Sequence, residues 1–85
     1  MRRDMELVRD ILERIEGLNG SSNIYPMYPE YFDTYKVVKG TEEKGDLMFR
    51  HFALLVDSGF VDGESKTGNV HGLTWAGHNL IDQLR

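Results

Sequence analysis

His51, His71 and His78 are the only imidazoles in the 85-residue chain, and three such ligands are the number an open zinc site requires. Their settings argue for packing instead. His51 falls on an apolar helical face, where a histidine usually bonds a neighbouring backbone or carboxylate group, and His78 stands where it can orient the Leu73-Thr74-Trp75 turn near Asp82. The chain has no cysteine, so neither a disulfide framework nor a thiolate zinc site can hold it together. No nucleophile is paired with a base by spacing, and neither a glycine-rich phosphate loop nor an HExxH helix is present. Acidic and basic residues alternate as they do on solvated helix faces. The expectation is a non-enzymatic protein that uses no metal or other cofactor.

Binding chemistry is the stronger signal. Tyr25, Tyr28, Tyr31 and Tyr35 all lie in IYPMYPEYFDTYKVVKG, residues 24–40, where four rings offer a stacking platform for bases or a patch for a partner protein. Pro26 and Pro29 push Tyr25 and Tyr28 toward extended backbone and exclude a regular helix across them. The plainer alternative is that most of these rings cover a small core with their hydroxyls in water. For nucleic acid the candidate contacts are Arg2 and Arg3 at the start, Arg50 in the middle and Lys66 in a loop. Ten Lys plus Arg against 14 Asp plus Glu give a formal charge of -4, which opposes sequence-independent attraction to phosphate. DNA binding then needs a local patch, such as a homodimer pooling Arg2, Arg3, Arg9, Arg50 and Lys66.

The elements that must position these residues read as α+β. Residues 4–16 carry Val8, Ile11, Leu12 and Ile15 at helical spacing, with Asp4 as N-cap and Gly17 or Gly20 at the end. After the irregular Tyr/Pro-rich segment, TYKVVK (residues 34–39) is rich in strand formers and is expected as the third strand of a wing sheet. Thr41 to Gly45 reads as a charged turn, with Thr41 or Asp46 as the cap of the next helix depending on where it begins. A helix over 46–58 buries Met48, His51, Phe52 and Leu55, is stopped by Gly59 as a left-handed C′ residue, and passes into a strand at Phe60-Val61. The polar bend DGESKTGNVHG returns it through a partner strand over 69–74. Thr74 caps a last helix whose Gly77 suggests close approach of another backbone. Trp75 is expected to be buried against the first helix as the keystone of the core. N-terminal helix, Tyr-rich segment, helix, two-stranded hairpin wing and C-terminal helix make a winged-helix-like arrangement.

Three phrases, RRDMELVRDILERIE, FRHFALLVDSGFV and GLTWAGHNLIDQLR, resemble a family of small bacterial and phage proteins, domain of unknown function 2513. The middle phrase stands here as Arg50-His51, Leu54-Leu55 and Ser58-Gly59-Phe60. The closing phrase matches best, at Leu73, Thr74, Trp75, Gly77, His78 and Asp82. The resemblance implies a winged-helix-like fold and a phage or prophage origin, and no activity. The Tyr-rich stretch is longer than the family leads one to expect.

Length confines the chain to one domain over residues 1–85. The start lacks a continuous apolar run, so no signal peptide or membrane span is expected, and a cytoplasmic location follows. Asn19-Gly20-Ser21 matches a glycosylation acceptor but reads better as the loop after the first helix. The fold favours a regulatory nucleic-acid-binding module. The outward side of the 46–58 helix speaks against it: Arg50 stands between Asp46 and Asp57, and Lys66 is offset by Glu64. The alternative is a protein-protein adaptor that uses the tyrosine segment.

Overall fold

The structure, a computed structural model, describes residues 3–34 and 36–85; the expectations for Arg2 and Tyr35 fall outside them. Helix α1 spans Met5–Glu16 and begins at Asp4, whose carboxylate accepts from the Glu6 and Leu7 N–H groups at 3.1 and 3.2 Å. Those are two of the donors a helix start leaves unpaired. The helix buries Val8, Ile11, Leu12 and Ile15 and packs against α3 (Glu42–Asp57), α4 (Trp75–Leu84) and strand β5 (Asn69–Leu73).

Between α1 and α3 the chain departs from the sequence expectation. Strand β1 is Ser22–Asn23 and is followed at once by a single helical turn, α2, Ile24–Met27. Pro26 is accommodated there because it sits in the first turn after the Asn23 cap, where its missing N–H had no intrahelical partner. Pro29 behaves as expected, since Tyr28 leaves the helix with φ -125° and ψ 65°. Strand β2 (Phe32–Asp33) then pairs antiparallel with β3 (Lys36–Val37) as a separate two-stranded sheet. The 34–39 segment is therefore not a third strand of the wing. Thr34, at φ 48°, turns the chain back on itself locally, and the open side of β5 is already taken by β1.

The main sheet has the order β1-β5-β4, all antiparallel, with β4 at Val61–Gly63. Helix α3 begins four residues before position 46. Glu42 and Glu43 stand in its first turn, where the dipole favours anions, and Gly45 continues the helix. A Cβ at Gly45 would come within 3.2 Å of the Phe32 ring, so a bare backbone here lets the β2–β3 hairpin lie against α3. The far end of α3 closes as a Schellman turn: Gly59 has φ 83°, its N–H reaches the Val56 carbonyl, and the Phe60 N–H reaches the Leu55 carbonyl at 2.9 Å.

The core is one cluster: Val8, Ile11, Leu12 and Ile15 of α1, Ile24, Tyr28 and Phe32 of the central segment, Met48, Phe52 and Leu55 of α3, then Val61, Val70 and Ile81. Trp75 is not part of it. Its side chain is 84% exposed, a correction to the keystone expectation. The cause lies two residues on, where a Cβ on Gly77 would overlap the Phe60 carbonyl oxygen. That glycine marks the face of α4 that lies against the hairpin. A residue two positions earlier lies about 200° round the helix, which turns Trp75 outward.

Candidate interaction surface

The tyrosine segment gives Ile24, Tyr28 and Phe32 to the core. Tyr28 is buried, so its assignment to a partner surface is corrected. Its hydroxyl donates to Asp10 Oδ2 at 2.6 Å, its ring stacks on Tyr31 at 5.7 Å, and the Arg14 guanidinium lies 3.9 Å from the ring centre. Burial, then the bond to Asp10, pushes the Tyr28 phenol well above the ordinary tyrosine range. Arg14 also bonds the Met27 carbonyl at 2.7 Å and grips Glu30 through two nitrogens at 3.0 and 2.7 Å. That grip holds the Glu30 carboxyl below the usual carboxylate range. Tyr25 and Tyr31 are half-buried. Tyr25 packs edge-on against Phe32 at 4.8 Å and beside Phe49 at 5.6 Å. Each of these rings packs against a neighbouring ring, as expected where a small domain recruits its largest side chains for the core.

Of the candidate phosphate contacts, Arg3 and Arg50 line one open depression, but Asp4, Glu6, Glu43 and Asp46 line it with them, so its acids outnumber its bases. Arg50 bonds Asp46 at 2.9 Å, one helical turn back, so its charge is already partnered where a groove-reading donor would be needed. Lys66 lies exposed in the β4–β5 turn and makes no ion pair among the described residues. Arg9 and Arg14 are paired with acids on α1, and Arg85 with Glu16 and Asp82.

The histidines have separate duties. His51 is fully buried, bridging the Asp4 N–H and the Leu47 carbonyl. His71 is exposed, with Nδ1 3.0 Å from Ser21 Oγ, and His78 is exposed on α4. Among the described residues no group of three or more His, Asp or Glu side chains is placed to hold a metal ion.

The surface also carries exposed large apolar side chains. Trp75 projects from the first position of α4, its backbone fixed by Thr74, whose hydroxyl accepts from the Gly77 N–H at 3.1 Å and donates to the Gly59 carbonyl at 2.6 Å. Elsewhere, between α1, α3 and α4, runs a groove of about 450 Å³ lined by Val8, Leu55, Phe60 and Leu80 together with Met5, Leu54, His51 and Ser58; Trp75 is not in its lining. Met5, Leu47 and Leu54 are each more than a third exposed. Arg3 borders this groove and makes no ion pair among the described residues.

The family model described as Hypothetical protein (DUF2513) matches residues 2–85. The chain belongs to the DUF2513 family. No curated protein and no solved structure matches it. In this DUF2513 member the phrases that carry the resemblance map to α1, to the end of α3 with its turn into β4, and to the end of β5 with α4. They form the helical frame and the Gly59 and Thr74 junctions. The groove lies between those helices, and the sequence hinted at it only in Met5 and Leu54, apolar residues at the margins of the buried faces. Among the described residues of this DUF2513 chain no helix is long and apolar enough to cross a membrane.

Proposed function

We propose that the chain is a non-enzymatic protein-interaction module acting in the cytoplasm, with the exposed Trp75 and the apolar groove between α1, α3 and α4 as its contact features. The observation that carries this reading is the 84% exposure of a tryptophan whose backbone is held in place. Exposing a large aromatic ring has no benefit for folding, whereas a fixed, exposed aromatic anchor is the usual centre of a protein contact. Selection of a displayed random-peptide library tests it. Apolar-anchored peptides enriched on the wild type are expected to be lost on Leu54→Glu and weakened on Trp75→Ala. No enrichment, or enrichment indifferent to both substitutions, would overturn it.

The second reading, a winged-helix module that binds DNA, is favoured by one feature: α3 leads directly into the β4–β5 hairpin, and β1 completes the sheet in the order β1-β5-β4. In winged-helix readers the helix before the hairpin enters the major groove. The Asp46–Arg50 pair and the charge of -4 weigh against it. Binding to a duplex library at low salt that falls steeply with added salt and weakens in Arg50→Ala would put DNA first.

A further inference from the structure

We propose that Asn19 is a site of spontaneous covalent modification, at which the chain converts its own Asn19-Gly20 peptide through a cyclic imide into a mixture of aspartate and isoaspartate. The site lies in the loop between α1 and β1, none of whose residues lines the groove. It stands independently of the interaction reading.

The first step is attack by the Gly20 backbone nitrogen on the Asn19 side-chain carbonyl carbon. A carbon–nitrogen bond forms there, the bond to the amide nitrogen breaks, and that nitrogen leaves as ammonia with the proton Gly20 gives up. Water then opens the imide. Opening at the side-chain carbonyl leaves aspartate, and opening at the main-chain carbonyl leaves isoaspartate, whose backbone runs through the former side chain. Nothing is oxidised or reduced.

The step needs an asparagine amide and a following N–H that are both free, and a neighbour without a Cβ to crowd the ring. Asn19 and Gly20 meet these needs. Both are exposed. The bonds that close α1 end at the Leu18 N–H, which reaches the Ile15 carbonyl at 3.1 Å, and contacts resume at Ser21, whose Oγ lies 3.0 Å from His71 Nδ1. Between them neither Asn19 nor Gly20 makes a hydrogen bond among the described residues. Gly20 has φ 118°, and beyond its chain neighbours no atom lies within 4 Å of the place a Cβ would take.

The chain's other three asparagines are guarded. The side chains of Asn23 and Asn69 bond each other at 3.0 Å, and each is followed by a residue branched at Cβ, Ile24 and Val70. Asn79 lies inside α4, where the next N–H is committed to the helix. Conversion at Asn19 adds a carboxylate, ionised at neutral pH, to a chain whose formal charge is already -4. Neither Asn19 nor Gly20 belongs to the core, so the product stays folded.

Peptide mapping by mass spectrometry of the full-length chain, incubated warm for several days at a series of pH values in water enriched in heavy oxygen, tests this. The peptide holding Asn19 is expected to exchange NH for labelled oxygen and to split into two species, isoaspartate in excess. Its rate should rise with pH, because the attacking nitrogen must lose its proton, while peptides holding Asn23, Asn69 and Asn79 stay unchanged. Gly20→Ala is expected to slow conversion at least ~10-fold by crowding the ring. Since alanine is strained at this φ, Asn19→Gln serves as the second variant; it leaves Gly20 in place and should abolish the new species. An Asn19 peptide that stays intact overturns the proposal. So does aspartate formed without isoaspartate, which excludes the imide, and so does equal conversion at the other asparagines, which shows that the fold selects nothing.

Discussion

The backbone N–H of Asp4 donates to Nε2 of His51 at 2.9 Å, joining residues 47 positions apart. The other ring nitrogen, Nδ1, lies 2.8 Å from the Leu47 carbonyl. A carbonyl can only accept and an N–H can only donate, so the pair assigns the neutral ring with its proton on Nδ1. His51 thus fixes the start of α1 to the middle of α3. His51→Ala leaves a cavity and strands two polar backbone groups, with an expected loss of roughly 2–4 kcal/mol in urea unfolding. Nitrogen NMR of the ring should show Nε2 without a proton; a proton there would refute the assignment.

Gly77→Ala inverts a familiar rule. In an exposed helix interior this change stabilises by about 1 kcal/mol, but here the new methyl would overlap the Phe60 carbonyl oxygen. The expected outcome is a loss of roughly 1–3 kcal/mol as α4 is pushed off the hairpin. A raised melting temperature would show that the two backbones do not approach as described.

The Tyr28 phenol should make stability fall in alkali. The unfolded chain releases that proton near pH ~10, while the folded chain holds it, through burial and the Asp10 bond, to higher pH. The contribution is therefore fully present below ~10 and is lost as pH rises beyond it. Tyr28→Phe should remove this share of the alkaline slope and cost about 1 kcal/mol at neutral pH. Tyr28→Ser should cost roughly 3–5 kcal/mol. In a spectroscopic titration, one of the four tyrosines should ionise only as the protein unfolds; four ordinary titrations would refute it.

Glu30 gives the acid counterpart. Held low by Arg14, it contributes stability that is present above pH ~4.3 and lost as pH falls through its lowered value. With the Glu30 side chain 44% exposed, solvent screening keeps the effect within ~0–1 kcal/mol. Glu30→Gln should accordingly flatten the acid limb slightly and change neutral stability little, as read from urea midpoints at several pH values.

The helices were legible because each carries a local signal: the apolar spacing of α1, Asp4 and Thr74 as caps, and Gly59 as the stop of α3. Gly77 was legible too, since a glycine inside a helix needs a reason. Trp75 was misread because hydrophobic size argues for burial, while its actual direction is set by Gly77 and Phe60, a contact no local pattern encodes. The segment from 22 to 37 failed for a related reason. Its strands are two residues long and its helix is one turn, too short for any periodicity. What fixes it is tertiary: the Asn23 side chain bonds the Thr67 carbonyl and the Asn69 side chain at 3.1 and 3.0 Å while accepting from the Tyr25 N–H. The groove was invisible because its walls come from three helices and a strand entry that meet only in the fold.

The shortness of the outer strands also limits how copies of this chain can meet. Strand β1 offers two residues at one margin of the main sheet and β4 three at the other, the latter interrupted by a register shift between Asp62 and Gly63. Margins that short and irregular give an incoming strand almost no ladder to extend, the defence by which natural sheets resist runaway fibre growth. Encounters between folded molecules are left to side chains, which can be tuned or abolished one residue at a time.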